Sequence, residues 1–480
     1  MVVVVLSGIS SARRWWSAAL LALLPMLAAA QVPAPRPGLA PADASTGAVR
    51  PLDLRAPDAD PRIDAAAPSG VPPAAVPGLD PARLRWPVVR AAWLERSRDL
   101  RAARRDIESA EADTLAARAR PNPTLSYDAA SISPRNFGAG SPADKRIDST
   151  LRLEQPIERG DKRRLRMARA DALLDASRAD AVGLARDGVA RVAGLYYDLA
   201  AAQAQAELAA QSAALADTAL AAALKRRDAG DLAAADAERV RTDTLRARND
   251  ATSAAADLAQ ARLALARALA IEPLAPRLRA DADWPEPAPD EPGLRAAERV
   301  RLEAALDDRP ELRAARLRAD AARSNRDLAL AQRRRDVTVA VQAERYPGPN
   351  GTGNTVGLGV SIPLFLGYDY AGEIRSAEVD VDRAAEALEL ARADALAGIA
   401  ATAADLDAAA RRLVRTRDEL MPAARRSLDA AEFAFSHGAS NVTDVLDARR
   451  AWRAAEADAI ATRADYARAL AAWQSLLEPN

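Results

Sequence analysis

Catalytic chemistry has little to draw on in this chain. It contains no cysteine and a single histidine, His437. Thiolate nucleophiles, disulfides and thiolate metal sites are therefore excluded, and a His-based metal site or Ser-His-Asp triad has almost nothing to be built from. No clustered nucleophile, metal-ligand set or phosphate-cradling loop appears, so no enzyme, cofactor or bound metal is expected. His437 adjoins Gly438 and reads as an exposed turn residue. Charge is what remains, with 67 basic and 67 acidic residues. That balance argues against nucleic acid as a partner. Three aspartates stand out by position. Asp444 and Asp447 sit in the stretch Asn441-Val-Thr-Asp-Val-Leu-Asp, with Asp444 six residues past Gly438. Asp236 stands six residues past Gly230. Asn441-x-x-Asp444 has the form of a capping box, and acids suit the first turn of any helix. If several copies brought such carboxylates together at a narrow opening, they would also concentrate cations.

The elements that must position these residues are written twice. Residues 94–104 (LERSRDLRAAR) return as 306–316 (LDDRPELRAAR), 151–160 return as 358–367, and 226–236 return as 434–444. The offset stays between 207 and 212 residues, too long for a solenoid repeat. It is a duplication of a whole structural half, which implies a pseudo-symmetric object. We divide the chain into a first repeat, 84–292, and a second, 293–480. Before them, residues 1–30 read as a secretory signal. Arg13 and Arg14 precede the apolar run Trp15–Leu27, and Ala28-Ala29-Ala30 supplies the cleavage pattern. Residues 31–83, rich in Pro, Ala and Gly, read as an extended, largely disordered leader.

Each repeat opens with a helix. In the first, Val89, Trp93, Leu100, Ala103, Ile107, Ala110 and Ala117 fall on one stripe, ending at Pro121-Asn122-Pro123. In the second, Leu312, Ala315, Ala319, Ala322 and Ala329 repeat that stripe over 308–335. The period then changes to two. Residues 124–132, 146–157, 336–344 and 355–364 alternate apolar and polar or small positions, giving hairpins over 123–157 and 336–365. Runs of about 9–11 residues match tilted strands of a membrane barrel. Residues 133–145 and 347–353 read as exposed loops. A Pro/Gly pair closes each hairpin: Pro156 with Gly160, and Pro363 with Gly367. Proline is expected to end the ladder and glycine to permit the sharp turn into the next helix.

Residues 161–228 contain no proline, so one helix of roughly 100 Å is expected. Its counterpart, 368–436, is interrupted only by Pro422, where we expect a kink. A narrow seam of Leu208, Leu215, Ala219 and Ala222 suits a coiled-coil neighbour. After the turns at Gly230 and Gly438, helices return over 231–270 and 441–477. Leu258, Leu265 and Leu269 align with Tyr466, Trp473 and Leu477 at an offset of 208. Four strands cannot close a barrel, and an open sheet edge in lipid is costly. If the hairpins insert, several copies must share one barrel and set their long helices side by side as a tube.

The order of short helix, hairpin, long helix and short helix, written twice, resembles the TolC family of outer-membrane efflux channels. The match covers about 84–478, through RPNPTLSY (120–127), LRLEQPIERGDKRR (151–164) and GASNVTDVLDARRAW (438–452). The first two, with Leu420-Met421-Pro422, look most like the family's cobalt–zinc–cadmium branch. The resemblance implies a mostly α fold with a small β part, an internally duplicated long coiled-coil α-barrel plus four strands per chain. Three chains would close one 12-stranded membrane β-barrel. It implies an outer-membrane location with the α-barrel in the periplasm. It also implies a homotrimeric exit duct joined by a periplasmic adaptor to an inner-membrane resistance-nodulation-division transporter.

Carried onto this sequence, the resemblance places the pore constriction at Asp444 and Asp447, with Asp236 as the first-half counterpart. It places adaptor contact at the tips 227–232 and 435–440, including Arg227, Gly230, Asp231, Leu232, Phe435, Gly438 and Ser440. Ser440 stands where the best-known members carry an arginine, and Phe435 where they carry a tyrosine, so their gating network does not transfer. A drug-efflux duct, a duct for one-step protein secretion and an exported non-conducting coiled-coil scaffold are the alternative readings.

Overall fold

The structure is a computed structural model that describes residues 79–130, 132, 147–287, 291–348 and 351–477. The signal segment, nearly all of the leader and loop 133–145 lie outside the described residues. The leader's last residues, 79–83, are held in place. Pro81 accepts a hydrogen bond from Arg279 N at 2.8 Å, and Leu79 packs against the core.

The described elements run in two parallel series. The first contains α1 (Trp86–Arg96), α2 (Arg98–Arg118), β1 (Thr124–Ala130), β2 (Asp148–Ile157), α3 (Lys162–Asp228) and α4 (Ala234–Ala268). The second contains α5 (Glu291–Ala304), α6 (Pro310–Ala331), β3 (Val337–Gly348), β4 (Gly351–Ser361), α7 (Ala371–Arg415), α8 (Met421–Ser436) and α9 (Val442–Leu477). The fold is mostly helical with one small sheet, the TolC-like class read from the sequence.

Three elements differ from the sequence expectation. The opening helix is two helices, because Ser97 leaves helical geometry (φ −53°, ψ 130°) and its hydroxyl caps α2 by accepting from Leu100 N at 3.3 Å. Its counterpart break lies at Arg309, and α5 precedes it over a stretch to which the sequence assigned no element. In the long second-half helix, the expected disturbance at Pro422 takes the form of a π segment, Thr416–Leu420, which joins α7 to α8. A proline nitrogen cannot donate to the preceding turn, and a wider turn accommodates the lost bond. The stretch 347–353 is mostly strand, since Pro347 pairs with Thr352 and Gly348 with Gly351.

The buried core forms where the shorter helices meet the middle of the long ones. Val89 and Trp93 of α1, Val192, Tyr196 and Leu199 of α3, and Leu265 and Leu269 with Ile271 make the first-half cluster. Tyr196 Oη donates to the carbonyls of Leu84 (3.1 Å) and Asp281 (3.0 Å), so the ring crosses the core and its hydroxyl stays satisfied. In the second half, Leu312, Ile399, Leu406, Leu413, Tyr466 and Trp473 form the equivalent cluster, and Trp473 Nε1 donates to Glu298 at 2.7 Å. Leu265 and Trp473, which align at the 208-residue offset, are both buried. Leu477, the partner of buried Leu269, is 37% exposed.

The expected seam on α3 holds in part: Ala219 packs and Leu208 is half-buried. Leu215 is 72% exposed and Ala222 is exposed. The residues that meet Val240 of α4 and Leu446 of α9 are Ala219, Leu220 and Ala223.

Candidate functional site

The four strands form one antiparallel sheet in the order β1-β2-β3-β4, with β2–β3 joining the two repeats. The register stacks the alternating residues into rows. Leu125, Leu153, Val341 and Leu358 lie opposite one another across all four strands, as do Tyr127, Leu151, Ala343 and Val356. The intervening row is Ser126, Arg152, Gln342 and Gly357. One face is therefore apolar and the other polar. The polar face is internally bonded: Arg152 contacts Glu154 at 2.5 Å and Gln342 at 3.2 Å, and Gln342 donates to Glu344 at 2.6 Å. The apolar face is bare. Leu358 is 83% exposed, Val356 79% and Val360 69%, and no described helix covers them. Both outer strands, β1 and β4, have an open edge in the single chain. Among the described residues no helix is long and apolar enough to cross a membrane.

The predicted junction residues behave unequally. Pro156 does not end its strand. β2 continues to Ile157 paired with β3, but β1 begins opposite Glu154, so Pro156 lies where β2 has a free side. Pro363 follows the end of β4 at Ser361. Gly160 has φ +79°, and a side chain there would meet Arg334 Cβ at 2.9 Å. Gly367 is not left-handed. The left-handed residues that lead into the long helices are Asp161 (φ 61°) and Tyr370 (φ 65°).

At the far end of α3, Gly230 N donates to Arg227 O (2.9 Å) and Asp231 N to Arg226 O (2.8 Å). At the end of α8, Gly438 N donates to Phe435 O (3.1 Å) and Ala439 N to Ala434 O (2.8 Å). Both are Schellman turns, with glycine φ of +81° and +74°. A Cβ at either glycine would touch nothing within 4 Å. The glycines are needed for conformation and not for space. The two tips are joined by a small cluster of Ala223, Val240 and Leu446, against which Leu232 and Val442 pack.

Asp444 completes the capping box: its N–H donates to Asn441 Oδ1 at 3.0 Å, and Asn441 N donates back to its carboxylate at 3.4 Å. The first-half turn lacks this device, since Ala233 stands at the N-cap. Asp236 pairs with Arg239 at 2.8 Å, and Asp447 pairs with Arg450 at 2.5 Å. Arg450 also reaches Asp243 at 2.9 Å, and Arg453 reaches the other oxygen of Asp243 at 3.2 Å. The Asp243 hydrogen bond, with Asp447 adding to it, holds the Arg450 guanidinium above its ordinary pKa. This link between α4 and α9 borders a groove of about 440 Å³. Asp243 was missed by sequence reasoning. The signal was a carboxylate beside the small-residue stripe Ala237, Val240, Thr244 and Ala247.

Among the tip residues, Arg227 pairs with Asp228 at 2.7 Å, Asp231 is exposed, and Phe435 and Ser440 are half-buried. The exposed aromatic at the second tip is Phe433, 66% exposed and stacked on His437 with ring centroids 4.1 Å apart. His437 is exposed, as expected, and its Nδ1 lies 2.9 Å from Phe433 O.

A duplicated helical fold with one bare apolar sheet face and paired tips defines a class, and comparison with known proteins agrees. The model of the outer membrane efflux protein family matches residues 89–270 and 302–477. The chain belongs to that family. It is 26% identical over 362 residues to the cobalt-zinc-cadmium resistance protein CzcC of Cupriavidus metallidurans, covering 73% of this chain and 80% of CzcC. A membrane protein from Pseudomonas aeruginosa shares the fold at TM-score 0.67 and 21% identity, over 82% of this chain and 93% of that one. The outer membrane protein VceC of Vibrio cholerae does so at TM-score 0.66 and 19% identity, over 82% and 95%.

Proposed function

We propose that the chain is the outer-membrane exit duct of a tripartite efflux pump, a passive trimeric channel that passes heavy-metal cations. The observation that carries this reading is the sheet. Four strands with a bare apolar face and two open edges are a stable membrane structure only when other copies close the barrel. Three copies give a twelve-stranded barrel, and their long helices continue it as a periplasmic tube. The N-terminal signal segment delivers the chain to the periplasm. The tips at Gly230 and Gly438 offer backbone turns and exposed side chains to a periplasmic adaptor, which links the duct to an inner-membrane resistance-nodulation-division transporter. The likeness to CzcC supports metal cations as the cargo. With no cysteine and one histidine, the duct has few soft ligands for choosing among metals, so the inner-membrane pump makes the selection.

Asp444 and Asp447 contribute to an acidic mouth at the tip. Asp447 is partly neutralised by Arg450, which leaves Asp444 the stronger contributor to cation preference. In planar bilayers the channel passes cations over anions. Replacing Asp444 and Asp447 together by asparagine weakens that preference while the trimer survives, because asparagine still suits a helix start. An unchanged ion preference in the double variant would place the constriction elsewhere. Loss of the chain should raise sensitivity of its host to divalent cobalt, zinc and cadmium, and sensitivity unchanged toward all three would overturn the cargo assignment.

A further inference from the structure

The four connectors between sheet and helices lie at one end of the sheet: 119–123 before β1, 158–161 after β2, 332–336 before β3 and 362–370 after β4. Direct contacts stitch them into one collar. Gln155 Nε2 donates to Pro121 O at 2.9 Å, and Arg163 Nε donates to Arg118 O at 2.7 Å. Lys162 and Asp336 pair at 2.9 Å, Arg333 and Asp369 pair at 2.9 Å, and Arg335 lies 5.5 Å over the Phe365 ring.

The charges of this collar do not balance. Each of its carboxylates is already engaged. Asp336 is held by Lys162, Asp369 by Arg333, Glu158 by Arg166 and Asp161 by Arg164, while Glu373 accepts from Tyr368 Oη at 2.5 Å. Arg120, Arg159, Arg334 and Arg335 are exposed and pair with no carboxylate among the described residues. The surplus sits directly beside apolar surface. Leu364 and Leu366 are 66% and 88% exposed, and the tilted rings of Tyr368 and Tyr370 follow them, with centroids 6.0 Å apart.

We propose that this collar is a binding surface for anionic phospholipid, its free arginines taking the headgroup phosphates of the leaflet on the helix side of the sheet. The proposal rests on the membrane reading above and adds a lipid class and a leaflet to it. A guanidinium is suited to phosphate by its fork of donors. Amphipathic rings and basic side chains favour the headgroup level, where each cation near an anionic surface gains attraction. Leu364 and Leu366 continue the apolar band of the sheet down to that level.

The test uses the full trimer in nanodiscs of phosphatidylcholine alone or of phosphatidylcholine mixed equally with phosphatidylglycerol. The readouts are the thermal unfolding midpoint and the lipid retained after transfer to detergent, counted by native mass spectrometry. Phosphatidylglycerol should raise the midpoint and be retained severalfold over phosphatidylcholine. Combining Arg120→Gln, Arg159→Gln, Arg334→Gln and Arg335→Gln should abolish both effects and lower the midpoint in pure phosphatidylcholine no more than Arg335→Gln alone, which loses the contact with the Phe365 ring. The four Arg→Lys replacements should keep only part of the preference, since they keep the charge and lose the fork of donors. Arg104→Gln with Arg313→Gln, exposed on α2 and α6, should change nothing. Equal retention of the two lipids by the original protein, or an undiminished preference in the quadruple Gln variant, overturns the proposal. If the quadruple Gln variant fails to assemble, the pairs Arg120→Gln with Arg159→Gln and Arg334→Gln with Arg335→Gln decide, and an undiminished preference in both at intact assembly also overturns it. A protein that inserts without lipid preference sinks this proposal alone, whereas one that enters neither nanodisc sinks the membrane reading beneath it.

Discussion

The two ends of this chain are finished to different degrees. At the helical end, the turns and the aspartates are satisfied within the chain. The Schellman turns satisfy their carbonyls, Asp444 is spent on a cap, and Asp236, Asp243 and Asp447 each meet an arginine of the same chain. At the sheet end, apolar rows face outward and two ladder edges are open. An end that is satisfied alone can be moved by a partner without unfolding. An end that is unsatisfied alone must be completed by lipid and by other copies. On the proposed function, membrane insertion and assembly would fall to the sheet, and docking of an adaptor to the tips.

The largest test of this contrast is a charge on the bare face. Leu358→Arg should cost about 2–4 kcal/mol near the bilayer midplane in every copy and prevent stable trimers, as read by gel mobility after mild detergent extraction. An arginine at exposed Leu215 on α3 is the matched control, and its smaller effect should be confined to helix neighbours. Equal tolerance at both positions would remove the distinction between the ends.

The glycines sharpen the same comparison. Gly230→Ala should cost about 1–2 kcal/mol for left-handed backbone, with no steric addition because the space around it is empty. Gly160→Ala should carry that cost and also push Arg334 aside, since Arg334 Cβ would lie 2.9 Å away. Thermal unfolding in detergent should rank Gly160→Ala as the more damaging change. The reverse ranking would mean that the tip turn is tighter than its geometry shows.

The smallest effect lies between the ends, where α3 and α6 meet. Burial pushes the Glu311 carboxyl up, but the Arg309 hydrogen bond, with Arg186 nearby, more than offsets it and leaves the pKa lowered. A depressed folded value means that the unfolded chain binds more protons. The stabilisation is thus complete above the unfolded glutamate pKa, about 4.3, and is lost as pH falls through the lower folded value. Glu311→Gln should flatten the acid limb of the stability curve below about pH 4, measured by unfolding midpoint against pH. An unchanged acid limb would show that Arg186 and Arg309 are satisfied without it.

Much of this was legible in residue order because the signals were strong and local. Period-two alternation gave the strands and their apolar face, and the absence of proline over 161–228 gave the long helix. Gly230 and Gly438 marked turns that their φ angles explain. The break at Ser97 was hidden because Val89, Trp93 and Leu100 keep one phase across it. The seam on α3 was right at Ala219 and wrong at Leu215 and Ala222, because a small-residue helix gives weak phase information. The loop 347–353 was read from Gly, Pro and Asn content, yet Pro347 and Gly348 pair in a hairpin that continues to its end. Asp243 was invisible as a site because its two arginines lie 207 and 210 residues away.

The central claim is that the open edges of β1 and β4 pair with those of other copies. The chain has no cysteine, so single thiols can be placed at will. Ser126→Cys on β1 and Gly357→Cys on β4, both in the polar row, can be combined in one chain and treated in membranes with a short bifunctional thiol reagent. The account predicts covalent trimers that need both cysteines and vanish with either one alone. Exclusively monomeric product from correctly folded, membrane-extracted protein would contradict it.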